Sequence, residues 1–182
     1  MKLDFEEVIE LPEGVTVTVE HGDIRVKGPK GEISRRMSAP GVSISANGQK
    51  VTLKAKKATK REKKMLYTFL AHIRNMIRGV QQQWVYNLKI CAGHFPMTAT
   101  LTGNKFVLKN FLGEKKPREC IIPAGVEVKV AGQEITISSV NRELAGQTAG
   151  LLELLTFKPY KDQRTFQDGI YITQKPGKGD EQ

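Results

Sequence analysis

GVSISANGQKVTLKAKKATKRE, residues 41–62, decides the fold class. Val42 and Ile44, then Val51 and Leu53, alternate with polar residues on either side of Asn47-Gly48. That is the pattern of two half-buried strands joined by a tight turn whose two central residues need positive φ. Thr59 and Glu62 follow at capping-box spacing, the hydroxyl placed to accept from a free N–H of the first helical turn and the carboxylate to reach back. Strand, turn, strand and helix therefore succeed one another without a break.

Downstream, the helix is predicted to run from Thr59 to a closing Gly79. Met65, Leu66, Phe69, Ile73, Met76, Ile77 and Val80 recur three and four residues apart on one face, while Lys60, Arg61, Lys63, Lys64, Arg74 and Arg78 point the other way. Upstream, Val15, Val17 and Val19, then Ile24 and Val26, alternate between turn residues at Gly22, Pro29, Gly31, Pro40 and Gly41, which predicts a meander of short strands.

The second half repeats the first. At an offset of 82, Lys27, Gly31, Glu32 and Arg36 match Lys109, Gly113, Glu114 and Arg118. At an offset of 84, Gly41-Val42 matches Gly125-Val126, Gly48 matches Gly132, and Val51-Thr52-Leu53 matches Ile135-Thr136-Ile137. A second helix is predicted from about Arg142, with Leu144, Thr148, Leu151, Leu152 and Leu155 on one face. The expected fold is α+β: two tandem duplicated domains, residues 1–82 and 83–174, each a small, mostly antiparallel sheet packed against one main helix, with a polar tail at 175–182. Gly31 and Gly113 are expected to occupy equivalent turns with positive φ. The Gly-rich tail is expected to be disordered unless a partner holds it.

A formal charge of +10 and a pI near 9.6 point to a polyanionic partner, nucleic acid first. The longest apolar stretches, such as Ile121 to Val130, are broken well short of the roughly 20 residues of a membrane span. The acidic amino end, Met1 to Glu10, lacks the features of a secretory signal, which predicts a cytoplasmic protein. Cys91 and Cys120 suggest neither a disulfide framework nor a zinc site.

Catalytic chemistry finds little support. His21, His72 and His94 are far apart and have no nucleophile context; His94 reads better as a hydrogen-bonded structural histidine than as an RNA contact. Asp162 and Asp168 could in principle hold Mg²⁺, but a salt bridge or a turn explains them more simply. Gly28-Pro29-Lys30-Gly31 has the GxxG form of a nucleic-acid clamp, yet the alternation on both sides predicts a hairpin turn. No enzyme activity, cofactor, metal or small-molecule substrate is expected.

The cations cluster in three places. Lys50 to Arg78 carries ten basic residues against one acid, much of it on the helix face just described. A second set is Lys105, Lys109, Lys115, Lys116 and Arg118; a third is Lys158, Lys161, Arg164, Lys175 and Lys178, interleaved with Tyr160, Phe166, Gly169 and Tyr171. Cations mixed with aromatics suit RNA, because rings stack on bases or ribose while Lys and Arg meet phosphate.

Val107-Leu108-Lys109-Asn110-Phe111-Leu112-Gly113-Glu114-Lys115, with His94-Phe95-Pro96 before it, resembles the archaeal and eukaryotic branch of the large-subunit ribosomal protein L-six family, called L-nine in eukaryotes. Lys27-Gly28-Pro29-Lys30-Gly31, Gly146-Gln147-Thr148-Ala149 and Phe166-Gln167-Asp168-Gly169-Ile170-Tyr171 extend the resemblance over nearly the whole chain. It implies a duplicated α+β fold and a structural role in translation. Its implied partners are large-subunit rRNA near the sarcin-ricin loop, neighbouring ribosomal proteins, and translation factors docking nearby. The family's main RNA contacts map onto the second domain and its tail, whereas charge counting ranks the first helix higher. Gly150 departs from the Ala expected there. Two other readings compete: a free-standing basic RNA or DNA chaperone, which would bind many sequences with a steep salt slope, and an RNA-acting enzyme.

Overall fold

The computed structural model describes residues 3–177. The chain divides into two compact units, Met1–Gln83 and Trp84–Gln182. The first contains β1 (Leu3–Glu10), β2 (Thr16–Glu20), β3 (Asp23–Gly28), β4 (Gly31–Arg36), β5 (Ser43–Asn47), β6 (Lys50–Ala58) and α1 (Lys60–Gln81). The second contains β7 (Trp84–Cys91), β8 (Thr98–Thr102), β9 (Lys105–Lys109), a 3-10 turn (Phe111–Gly113), β10 (Arg118–Ile121), β11 (Glu127–Ala131), β12 (Glu134–Ser139), α2 (Arg142–Leu155) and β13 (Gly169–Gln174).

The duplication is visible in the pairing. The first unit holds antiparallel sheets ordered β1-β6-β5 and β2-β3-β4, and the second holds β11-β12-β7-β13 and β10-β9-β8. Strands β7, β12 and β11 repeat β1, β6 and β5, while β13 adds a fourth strand along the outer edge of β7. In each unit one helix covers the sheets and buries the core: Ile24, Leu53, Leu66 and Ile73 in the first, Leu88, Phe106, Ile135, Ile137 and Leu152 in the second.

The two hairpins of the repeated stretch turn one residue later than expected. Asn47 pairs with Lys50, so Gly48-Gln49 occupies the turn, with Gly48 at φ 57; Ala131 pairs with Glu134, and Gly132 has φ 62. Placing Gly first requires positive φ at that residue alone, and Asn47 stays in the strand. The step between the offsets of 82 and 84 implies one small insertion, and the pairing gives a different one. Val26 pairs with Ile33, and its counterpart 82 residues on, Leu108, pairs with Arg118, so Arg118 stands in the place of Ile33 rather than Arg36. The second unit thus carries a longer loop between β9 and β10 where the first has the Gly28–Gly31 hairpin. Gly31 and Gly113 share positive φ, 145° and 78°, but not a position: Gly31 opens β4, and Gly113 ends the 3-10 turn.

α1 has the capping box: the Thr59 side chain accepts from Arg61 N, and Glu62 accepts from Thr59 N at 2.8 Å. It does not close at Gly79, which is buried inside it. The helix ends at Gln81, where the Gln82 N–H still reaches Arg78 O at 2.8 Å. The GxxG stretch is a hairpin turn docked on that helix end, where Lys30 N donates to Val80 O at 2.9 Å and a Cβ on Gly28 would meet Val80 at 2.7 Å. α2 turns inward most of the expected face: Thr148 and Leu152 are buried together with Ala145 and Ala149, and Leu155 packs on the core, while Leu151 is exposed.

Candidate nucleic-acid interface

Three loops of the second unit are stitched together: 92–97 after β7, 110–117 after β9, and 156–168 after α2. Asp168 is the first knot. Its carboxylate, 1% exposed, accepts from Gly93 N at 2.6 Å, His94 N at 3.2 Å and His94 Nδ1 at 3.2 Å. Burial pushes the acid up, but the Gly93 and His94 donors outweigh it and hold the group below the usual carboxylate range. His94 is therefore the structural histidine expected, its ring 5.4 Å from that of Phe166. Asn110 ties the first two loops, donating from Nδ2 to Pro96 O at 2.9 Å.

Phe111 is the second knot. Its fully buried ring has the Arg118 guanidinium 4.2 Å and the Lys158 ammonium 5.6 Å from its centre. Arg118 donates to both Glu114 oxygens, at 2.8 and 2.6 Å, and to Leu155 O and Phe157 O at 2.7 and 3.2 Å. The Arg118 hydrogen bonds hold Glu114 below the ordinary carboxylate range. Lys158, 7% exposed, donates to Phe166 O at 2.7 Å and to Asp168 O. Burial lowers its pKa, against the pull of Asp168.

The residues expected to touch RNA take different places in this geometry. Lys158 and Arg118 point inward, because each satisfies carbonyl oxygens that would otherwise lack a donor. Gly169 is buried, and a Cβ there would meet Thr156 Oγ1 at 3.1 Å. Tyr171 stays exposed, although its hydroxyl donates to Gln167 O at 2.9 Å, and burial raises its pKa. Lys178 lies outside the described residues. The outward set is Lys109, Lys115, Lys116, Tyr160, Lys161, Arg164 and Lys175, all exposed, with Tyr160 at 97%. Lys161 lies 4.4 Å from the centre of the Phe166 ring, and Arg164 N is held by Asp162 Oδ1 at 2.9 Å. Lys105 is occupied by Glu119 at 2.6 Å.

In the first unit, Lys60, Arg61, Lys63, Lys64, Arg74 and Arg78 are exposed along α1. The charge excess counted there is partly cancelled from β1, where Glu10 meets Lys50 at 3.0 Å and Glu6 meets Lys54 at 2.9 Å; Asp4 accepts from the Lys57 backbone N–H at 2.6 Å. Lys63 is drawn towards the Phe5 ring, 4.9 Å from its centre. A window count along the chain misses these acids because they arrive from a strand forty or more residues earlier. The structure also exposes a residue that charge and hydropathy did not select. Phe95, between His94 and Pro96, is 46% exposed and lays one ring face over Gly113.

A family model described as Ribosomal protein L6 matches residues 11–83 and 95–174, one stretch in each unit. The chain belongs to the ribosomal protein L6 family. Its relatives include proteins named large ribosomal subunit protein uL6. The one from Haloarcula marismortui is 40% identical over 172 residues, 94% of this chain and 97% of its own length. The one from Methanobrevibacter smithii is 43% identical over 171 residues, with 94% and 96% coverage, and that from Nanoarchaeum equitans is 42% identical over 178 residues, 93% of each. L6 is a ribosomal-protein family and not an enzyme family. Among the described residues no three His, Cys, Asp or Glu side chains are grouped to hold a metal, and no helix is long and apolar enough to cross a membrane.

Proposed function

We propose that this chain is a non-catalytic constituent of the large ribosomal subunit that binds its rRNA through the second unit, near the sarcin-ricin loop and beside the site where translation factors dock. In this reading it works in the cytoplasm, inside the ribosome, among other large-subunit proteins. Residues 1–82 and 83–174 act as the two domains, and 175–182 as a tail continuing the RNA surface.

One observation carries the reading. The stretches on which the family resemblance rests, His94-Phe95-Pro96, Lys109 to Lys115 and Phe166 to Tyr171, come from separate places in the sequence and are knotted together by Asp168, Asn110, Arg118 and Lys158. Exposed cations stand on the same loops. Long cations on loops held by a rigid scaffold suit an RNA backbone. The α1 stripe is a secondary surface in this reading.

The test is sedimentation of the native protein followed by chemical footprinting of the rRNA. One copy per large subunit, with protection at the sarcin-ricin loop, is expected. Protein left at the top of the gradient, binding RNAs of any sequence with a steep salt slope, would favour a free chaperone.

A further inference from the structure

Phe95 belongs to no part of the hydrophobic core. The loop carrying it is nevertheless held on both sides, by Asp168 on Gly93 and His94 and by Asn110 on Pro96. One face of the ring, near Cζ, lies over Gly113, with Cζ 3.6 Å and Cε1 and Cε2 each 3.8 Å from where a Gly113 side chain would begin. Gly113 takes only one face of the ring, and nearly half of the residue is open. An exposed aromatic on a floppy loop would lose its ordering entropy on binding. Here that loss has been incurred in folding.

The surroundings decide what such a ring would receive. Lys115 and Lys116 stand on the loop that Phe95 touches, and Lys109 ends β9 just before it, all exposed. The one acid in that loop, Glu114, is taken by Arg118 through two hydrogen bonds. No acid lies in residues 92–97. A ring bordered by cations without competing carboxylates suits a nucleotide, whose base offers a flat face and whose phosphates meet the lysines. A protein partner would more often present a greasy pocket and a mixed-charge rim.

We infer that Phe95, seated on Gly113 and flanked by Lys109, Lys115 and Lys116, is a stacking platform for an unpaired base of the bound RNA. The inference deepens the rRNA-binding reading and rests on it. Phe95 supplies affinity without charge, so its contribution separates from that of the lysines in a salt titration. His94, Asp168 and Asn110 act on it as positioning residues.

The experiment is filter binding of the full chain to large-subunit rRNA over a range of salt, with Phe95→Ala, Phe95→Leu and Phe95→Trp. Phe95→Ala should weaken binding roughly 5- to 150-fold, the effect of removing one stacked base contact, with the slope of log affinity against log salt unchanged. Phe95→Trp should keep the affinity, and its added fluorescence should be quenched on RNA binding beyond any change at the buried Trp84 of the parent. Phe95→Leu keeps apolar contact with Gly113 but has no aromatic face, so it should behave like Phe95→Ala. It also serves if the alanine chain fails to fold. Full affinity in Phe95→Leu or Phe95→Ala overturns the platform while leaving rRNA binding in place. Normal binding to naked rRNA with poor incorporation into particles also overturns it, in favour of a protein contact. A parent chain that does not bind the rRNA removes the rRNA reading, and the platform with it.

Discussion

Lys158→Met separates a buried strut from a surface phosphate contact. Methionine keeps an apolar stem of similar length but cannot donate, so the Phe166 and Asp168 carbonyl oxygens lose the ammonium that now serves them, one at 2.7 Å. Hydrogen bonds to a charged group are each worth about 1.5–3 kcal/mol net, and relief from holding an ammonium 93% out of solvent offsets part of that. A net destabilisation of about 2–4 kcal/mol follows, felt first in residues 156–168. In a unit of this size each kcal/mol lowers the melting temperature by roughly 4–8 °C, so calorimetry at neutral pH should show the second unit's transition at least roughly 8 °C lower. A Lys158 spent on two carbonyl oxygens inside the fold should leave the salt slope of rRNA binding by the folded variant unchanged. A transition within about 2 °C of the parent, with a salt slope reduced by roughly one, would refute the reasoning and return Lys158 to the RNA surface.

A Cβ at Gly150 would meet nothing within 4 Å, so Gly150→Ala should stabilise α2 by about 0.5–1 kcal/mol in denaturant unfolding. Gly146→Ala gains the same helix propensity but brings a Cβ to 2.9 Å from the Tyr86 hydroxyl, and should destabilise. Asp168 is held below its unfolded value, so its contribution is fully present above about pH 4 and is lost as pH falls through the lower folded value. Melting curves from about pH 5 to about pH 2 should show the parent's advantage over Asp168→Asn shrinking below about pH 4. Glu114 titrates in the same acid range in both chains and cancels in that comparison.

What could be read from the sequence was whatever repeats locally. Alternation around Gly48 and Gly132, the Thr59–Glu62 cap and the apolar face of α1 all lie within a few residues of one another, and each is present. At α2 the spacing placed Thr148 and Leu152 correctly, but Ala145 and Ala149, too small to signal by hydropathy, complete the buried face and Leu151 stays exposed. β1 hid behind its glutamates, whose partners Lys50 and Lys54 lie on β6. The candidate site was legible as composition but not as geometry. Lysine and arginine look alike in a sequence whether they reach solvent, as Lys115 and Lys116 do, or hold up a loop from within, as Lys158 and Arg118 do. That distinction depends on carbonyl oxygens brought close by folding. Phe95 was hidden for the converse reason: its exposure depends on a loop held by a carboxylate 73 residues away, at Asp168.

The central claim, that the outward cations of the second unit hold the rRNA, is tested most directly by one salt titration. The full chain is compared with a variant carrying alanine at Lys109, Lys115, Lys116, Lys161 and Arg164, and with one carrying alanine at Lys60, Arg61, Lys64 and Arg74. The second-unit variant should keep its melting temperature, bind large-subunit rRNA more weakly, and lose slope in log affinity against log salt by roughly one per contact removed, while the α1 variant stays near the parent. A second-unit variant that binds with the parent's affinity and slope, beside an α1 variant that has lost both, would contradict the account and make α1 the RNA-binding surface.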